Sequence, residues 1–299
     1  MKPVDFGYVR PLTIADAVTA LACAQGEGKV IAGGQSLGPL LNMRLVRPAL
    51  LVDVNALAEL AAIEEGELEV RIGAIVRQRG AERSAVVAGR LPLLAEALPY
   101  IGHVQTRNRG TVVGSVVHAD PSAELPLVAL CLDAIVEIVG PAGNREASIP
   151  DFYEGYLSTD LAPDELAVAV RFPAPAPPSG IVRAAAFAEM ARREGDFAIV
   201  AAAAQLDVDV AARRVVDARV GLTGVAGVPL RFAAAETALR NAAEPPRVFA
   251  SVAETVSDEI DPDSDLHATA AYRRSVARVL VSRVLERAWL RAFAGENGP

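Results

Sequence analysis

Ile31-Ala32-Gly33-Gly34-Gln35-Ser36-Leu37 is the stretch on which the reading of the fold turns. It continues a short run, residues 29–32, that reads as a strand, and Pro39 beyond it suits the first turn of a helix. A strand that ends in two glycines before a helix start is a physical recipe for anion binding. Glycine lets the backbone approach a ligand closely, and free N–H groups face outward at the turn. The stretch is neither a G-x-G-x-x-G fingerprint nor a Walker loop, whose lysine and spacing are absent. Taken alone, it also reads as an ordinary tight turn.

A second stretch has the same chemistry. Arg107-Asn108-Arg109-Gly110-Thr111-Val112-Val113-Gly114-Ser115 combines backbone donors with hydroxyls, and Val116-Val117-His118-Ala119-Asp120-Pro121-Ser122-Ala123-Glu124 follows it. Glu124 is placed to accept a hydrogen bond from a ribose hydroxyl. The plainer reading is a loop before a helix capped by Asp120, with Pro121 at its first position. The chain carries 29 Lys+Arg against 37 Asp+Glu, a net charge of -8. Its long-range field therefore repels a pyrophosphate, and a phosphate site must rely on local N–H groups and hydroxyls. The same charge argues against a general nucleic-acid binder.

Working outward, 299 residues with a 52% hydrophobic fraction exclude disorder and suggest about two domains. Residues 14–21 have helical periodicity behind a capping pair, Thr13 and Asp16. Residues 50–54 read as a buried strand. Leu68, Val70 and Ile72 alternate with Glu67, Glu69 and Arg71, a half-buried strand whose hairpin partner is 60–63. Residues 106–118 read as loop-rich, with 112–117 locally extended because of their valines. Four prolines in Pro173–Gly180 mark a boundary. Strands at 182–190, 198–208 and 215–222 then precede helices, the last near 266–293. The expected fold class is α+β, with domains at 1–175 and 181–295.

Two cysteines, Cys23 and Cys131, exclude a disulfide framework and a cluster held by this chain alone. Both read as buried thiols. Three histidines make a dedicated metal site unexpected, and no catalytic or metal-ligating residue is assigned. Trp289 reads as packing, and the Arg283/Arg287/Arg291 stripe as a solvated face or, in the minority reading, a partner-facing edge. No targeting segment is visible and no run is long enough for a membrane span, so the expected compartment is cytoplasmic.

Ala32-Gly-Gly-Gln-Ser-Leu37 and Arg107–Ser115, with His118-Ala-Asp-Pro-Ser-Ala-Glu124 beyond, resemble the two FAD loops of the molybdenum hydroxylase family. Within it, the chain is similar to the stand-alone medium subunit of bacterial carbon monoxide, quinoline and nicotine dehydrogenase-type complexes. Arg192-Arg-Glu-Gly-Asp-Phe-Ala198 resembles a third motif of that family. The resemblance spans nearly the whole chain. It implies a vanillyl-alcohol-oxidase-type (PCMH) FAD-binding domain of two α/β subdomains, plus a C-terminal α+β domain with a three-stranded sheet and helices.

The resemblance implies FAD contacts from Ile31, Ala32, Gly33, Gly34, Gln35, Ser36 and Leu37 in one wall. The second wall is Gly110, Thr111, Gly114 and Ser115. Ile101, Gly102 and Thr106 match flavin-side positions, Ala123 and Glu124 the ribose region, and Leu166 and Ala167 apolar positions near the adenine. His118 is a further candidate to approach the flavin. Val113 departs from the family's usual glycine. The implied function is an FAD-dependent oxidoreductase subunit that passes electrons from 2Fe–2S clusters of a partner to an external acceptor. Its implied partners are a small iron–sulfur subunit and a large subunit with the molybdopterin cofactor, as a heterotrimer or dimer of heterotrimers. A self-sufficient flavin oxidoreductase and a flavin-free assembly subunit are the alternatives.

Overall fold

The computed structural model describes residues 2–294; Met1 and residue 295, the expected outer limits of the two domains, lie outside them. The chain starts with β1 (Gly7–Val9), α1 (Ile14–Cys23), β2 (Gly28–Ile31), α2 (Leu37–Asn42) and β3 (Leu50–Asp53). The three strands form a parallel sheet in the order β1-β3-β2. Helix α1 begins as expected: the Thr13 hydroxyl accepts the Asp16 N–H at 3.1 Å and donates to the Asp16 carboxylate at 2.7 Å. Its buried stripe is Ala17, Val18 and Leu21. Cys23 lies off that stripe and is exposed, contrary to expectation, whereas Cys131 is buried. Because β2 and β3 run parallel, Ile31 and Asp53 end side by side and their following loops open on one rim.

The next unit comprises β4 (Ile63–Glu65), β5 (Glu69–Gly73), α3 (Gln78–Glu82), α4 (Ala85–Arg90), α5 (Pro92–Ala97), α6 (Val104–Arg107), α7 (Val112–His118) and α8 (Glu124–Cys131). It continues with β6 (Ile135–Gly140), β7 (Gly143–Ser148), α9 (Ile149–Phe152), a small ribbon of β8 (Tyr153–Gly155) and β9 (Ser158–Thr159), and β10 (Leu166–Pro173). Its sheet is antiparallel in the order β4-β5-β10-β6-β7. Three expectations are corrected here. The partner of β5 is 63–65 rather than 60–63, because Ala58–Leu60 is a 3-10 turn. Leu68 is 65% exposed just before the strand, so only Val70 and Ile72 carry the buried face. Residues 112–117 are helical, not extended. Val112, Val113 and Val116 recur at helical spacing and are all buried, so packing overrides their strand preference.

The remaining elements are β11 (Ile181–Met190), β12 (Val200–Asp209), β13 (Arg214–Thr223), β14 (Leu230–Arg231), α10 (Ala233–Asn241), α11 (Pro245–Glu259) and α12 (Ala270–Ala292). The sheet has four strands rather than three, because β14 adds to β13 at Gly221 and Leu222. It is covered on both faces. Ala184, Ala186, Ala202, Ala204 and Leu206 pack with α10–α12, while Ala185, Phe187, Ala201 and Ala203 join the core of the preceding unit. Alternate residues thus serve two cores, which accounts for the unbroken apolar run in β12. Phe197 precedes that strand and is 65% exposed.

Trp289 packs against Phe249 and Phe293 as expected. The arginine stripe is more than a solvated face. Arg287 and Arg291 donate to the backbone carbonyls of Phe187 and Ala185 on β11, at 3.4 and 2.6 Å, and so cap an edge strand. Arg291 also pairs with Glu96 of α5 at 2.7 Å. That ties the last helix to the second unit.

Candidate functional site

The loop after β2 is held by close contact with its neighbours as well as by hydrogen bonds of its own. A Cβ on Gly33 would stand 2.4 Å from the Arg109 carbonyl oxygen and 2.8 Å from the Gly110 Cα, so the two glycine-rich loops touch through backbone. Gly34 has φ +69°, the left-handed conformation that glycine adopts without cost. The Gln35 side chain folds back onto the Gly33 carbonyl at 3.1 Å. Among the described residues, the N–H groups of Gly34, Gln35 and Ser36 meet no acceptor. Ser36 precedes α2 without a side-chain capping bond, leaving its hydroxyl free. Ile31 and Leu37 bracket the loop as the last residue of β2 and the first of α2, and Ala32 offers its carbonyl to Asn55 at 2.9 Å.

The second loop is built around a helix start. The Thr111 hydroxyl accepts the Gly114 N–H at 3.0 Å and caps α7. Gly110 is anchored by the Gln78 N–H, which donates to its carbonyl at 2.8 Å. A Cβ on Gly114 would lie 2.5 Å from the Thr111 hydroxyl, so the capping bond itself calls for a small residue there. Gly114 and Ser115 face outward, while Val113 is 2% exposed in the core. Val113 is not among the residues with positive φ, so its departure from glycine brings no backbone strain.

Arg107, which opens the second motif, has a structural task. It donates to the carbonyls of Ile101 and Gly102, at 2.9 and 3.1 Å, and pairs with Glu82 at 2.9 Å. That fixes the turn carrying Gly102, whose φ is +48° and which sits against Thr106. The third motif reaches the same turn. Gly195 has φ +83°, and a Cβ there would lie 2.5 Å from His103 Cε1. Tyr100, just before that turn, meets Phe187 of β11 with ring centroids 5.1 Å apart and the planes tilted by 54°.

Glu124 opens α8, behind Ala123 as its cap; Asp120 instead closes a tight turn by accepting the Ser122 N–H at 2.8 Å. The expected Asp120–Pro121 helix start is thereby corrected. Pro121 has another use: its carbonyl accepts the Gly224 N–H at 2.8 Å and the Thr223 hydroxyl at 2.6 Å. Glu124 is 5% exposed, and burial pushes its carboxyl up to about 7. Glu189 of β11 lies near enough for the Glu124 charge to act on it. Burial first, then that charge, lifts it to about 8, and its Oε2 is buried without a partner. Burial lowers the pKa of His118 at the end of α7, opposed by Asp120, so its imidazole is neutral near pH 7.

The structure therefore brings 31–37 and 110–115 into one contact, with 101–106 held in a fixed turn beside the third motif. Leu166 and Ala167 are core residues of β10, at 2% and 5% exposure, with little surface left for a ligand. Sequence reading missed Asn55, Arg77, Gln78 and Glu189. Asn55 and Arg77 tie the loops together and Gln78 anchors the second; Glu189 lies near Glu124 across the seam between the last two units. Free N–H groups on the first loop, with the Ser36 and Ser115 hydroxyls of the two touching loops, fit a pyrophosphate, and the buried, partnerless Oε2 of Glu189 beside Glu124 fits a ribose or ribityl hydroxyl.

Comparison with known proteins gives the family. Residues 4–175 match the FAD binding domain in molybdopterin dehydrogenase, and residues 185–288 match the CO dehydrogenase flavoprotein C-terminal domain. The chain is 38% identical to the 6-hydroxypseudooxynicotine dehydrogenase complex subunit alpha of Paenarthrobacter nicotinovorans, over 98% of this chain and 97% of that one. It is 36% identical to the carbon monoxide dehydrogenase medium chain of Afipia carboxidovorans, over 98% and 99%. The crystal structure of quinoline 2-oxidoreductase from Pseudomonas putida 86 superposes with a TM-score of 0.91 at 35% identity, covering 98% of this chain and 99% of that one. The two loops, the fold and these relatives together place the chain in one family: it belongs to the FAD-binding flavoprotein subunits of the molybdopterin dehydrogenases, a group of oxidoreductase subunits.

Proposed function

We propose that this chain is the FAD-carrying electron-transfer subunit of a cytoplasmic molybdenum-containing dehydrogenase or hydroxylase complex. It receives electrons from 2Fe–2S clusters of a small partner subunit and delivers them to an external acceptor. A large partner subunit with the molybdopterin cofactor carries out the substrate chemistry, in a heterotrimer or a dimer of heterotrimers. The observation that carries the reading is the contact between Gly33 and Arg109, which sets the first loop, whose Gly34, Gln35 and Ser36 N–H groups lack protein acceptors, against the second. Relatives named as subunits or medium chains of dehydrogenase complexes, matched over nearly their full length, support the partners.

FAD supplies the exchange between one-electron and two-electron steps. The residues of this chain bind and orient it. Gly34, Gln35, Ser36 and Ser115 donate to the pyrophosphate, and Gly110, Thr111 and Gly114 shape the wall behind them. Glu124 holds a hydroxyl of the ribose or ribityl chain. Ile101, Gly102 and Thr106, with the Arg192–Ala198 loop, exclude water on the flavin side. The domain division at 1–175 and 181–295 belongs to the same reading.

The test is anaerobic reduction of the FAD-loaded chain. Dithionite should bleach the flavin band, and candidate organic substrates should bleach it only when both partner subunits are present. Substrate-driven bleaching of the isolated chain would favour a self-sufficient oxidoreductase. A colourless chain that takes up no FAD would favour an assembly role.

A further inference from the structure

The Arg77 guanidinium stands at the junction of the two loops. Its Nη1 donates to the Arg109 carbonyl at 2.7 Å, the same oxygen against which Gly33 is packed. Its Nη2 donates to Asn55 Oδ1 at 2.5 Å, and Asn55 Nδ2 donates to the Ala32 carbonyl at 2.9 Å. Asn55 is itself fixed by Asp53, whose Oδ1 accepts its backbone N–H at 2.9 Å. One unbroken polar chain thus runs from the end of β3, through Arg77, to the second loop. The backbone of Arg77 is tied in as well, through a bridge to Thr111.

What Arg77 lacks is an anion. Among the described residues no carboxylate lies within salt-bridge distance of it, although the chain carries eight more acidic than basic groups and most of its arginines are paired. Asp53 acts on it only from a distance, and Arg109 opposes it. Burial and the neighbouring Arg109 charge both disfavour its cationic form, in that order. A half-buried, unpaired guanidinium is costly to keep unless a bound anion completes it. Its planar fork suits phosphate oxygens, and several of its N–H donors stay free after the two hydrogen bonds to the loops.

We infer that Arg77 is a positioning residue for the dinucleotide: it clamps the 32–36 loop to the 109–115 loop and supplies the positive charge that offsets the pyrophosphate. This rests on the FAD-binding reading above. In a chain whose overall field repels the cofactor, one fixed cation at the loop junction provides the attraction that backbone dipoles alone supply only weakly.

The experiment is titration of FAD into the full-length apo-protein, followed by flavin fluorescence, at several salt concentrations. Wild type is compared with Arg77→Gln and Arg77→Lys, and thermal unfolding of each apo-protein is recorded. Arg77→Gln should weaken FAD binding tenfold or more and flatten the dependence of log Kd on log salt. Arg77→Lys, which keeps the charge, should retain the wild-type salt slope and lose less affinity. The two apo-variants should unfold at similar temperatures. Wild-type affinity and salt slope in Arg77→Gln would overturn the inference while leaving the FAD reading intact. So would equal losses in Gln and Lys with an unchanged slope, which would make Arg77 a purely structural tie. A wild-type chain that binds no FAD would overturn the underlying reading instead. If Arg77→Gln does not fold, Arg77→Met takes its place on the same readouts: a wild-type salt slope overturns the inference, and a flatter slope supports it.

Discussion

The carbonyl oxygen of Arg109 occupies the space that a side chain at Gly33 would need. At 2.4 Å from the Cβ position, it belongs to backbone that is itself anchored through Arg77, so it cannot swing aside. The Gly-Gly pair of the first loop therefore answers two different demands. Gly33 is required by contact, and Gly34 by its φ of +69°, with its nearest side-chain atom 3.5 Å away.

That distinction makes a first prediction. Gly33→Asn should force the loops apart, at a cost of about 1–3 kcal/mol for overpacking, and yield protein poor in FAD. Gly34→Asn should be tolerated far better, because Asn visits the left-handed region. Gly34→Val should cost at least about 1 kcal/mol and lose most of its flavin. The ratio of flavin to protein absorbance after purification checks all three. Equal flavin content in Gly33→Asn and wild type would show that the loop contact does not matter.

Thr111 makes the second. Its hydroxyl caps α7 through Gly114, and the side chain is 3% exposed. Thr111→Ser should keep the cap and most of the stability. Thr111→Val keeps the volume but loses the acceptor, and should cost about 1 kcal/mol in urea unfolding. The Val variant should also bind FAD more weakly, since the cap sets the direction of the second loop.

Val113 makes the third. A valine in place of glycine here raises the question of strain, and the helical backbone answers it. Val113→Gly removes a buried side chain and adds helix-interior flexibility, which together should cost about 2–4 kcal/mol. FAD affinity should stay within a few-fold of wild type. A tenfold gain in affinity would mean that the valine strains the loop after all.

Glu124 and Glu189 make the fourth. Both carboxyls are held above the 4.5 of a free glutamate, to about 7 and about 8, and burial is the largest cause in each. The folded state therefore keeps protons that the unfolded chain has released. This stability is fully present below pH 4.5 and is lost as pH rises through 7 and 8. Each group contributes a slope of up to about 1.4 kcal/mol per pH unit within its window. Urea unfolding of the apo-protein at pH 5, 6, 7 and 8 should show the decline. Glu124→Gln should flatten it up to pH 7 and leave the Glu189 portion; an unchanged profile would count against the burial argument.

Much of the fold was written in local patterns. The Thr13–Asp16 pair and the three long strands of the last sheet lie where residue spacing put them, since caps and period-two runs act within a few residues. The valine run at 112–117 misled because β-branched residues favour strands in isolation. Only the cap at Thr111 and the one apolar core that buries Val112, Val113 and Val116 make a helix of it.

The two glycine-rich loops, their hydroxyls and the charge that forces them to work through N–H groups were determined by the sequence alone, because short-range chemistry is carried by residue type and order. Only the tertiary structure decided that Gly33 and Arg109 touch, that Arg77 spans the gap through Asn55, and that Glu124 and Glu189 share a seam 65 residues apart in the chain. Those contacts depend on how parallel strands, helix starts and an edge strand are docked against one another. Such docking is set by the packing of two shared cores, and no local pattern in the sequence records it.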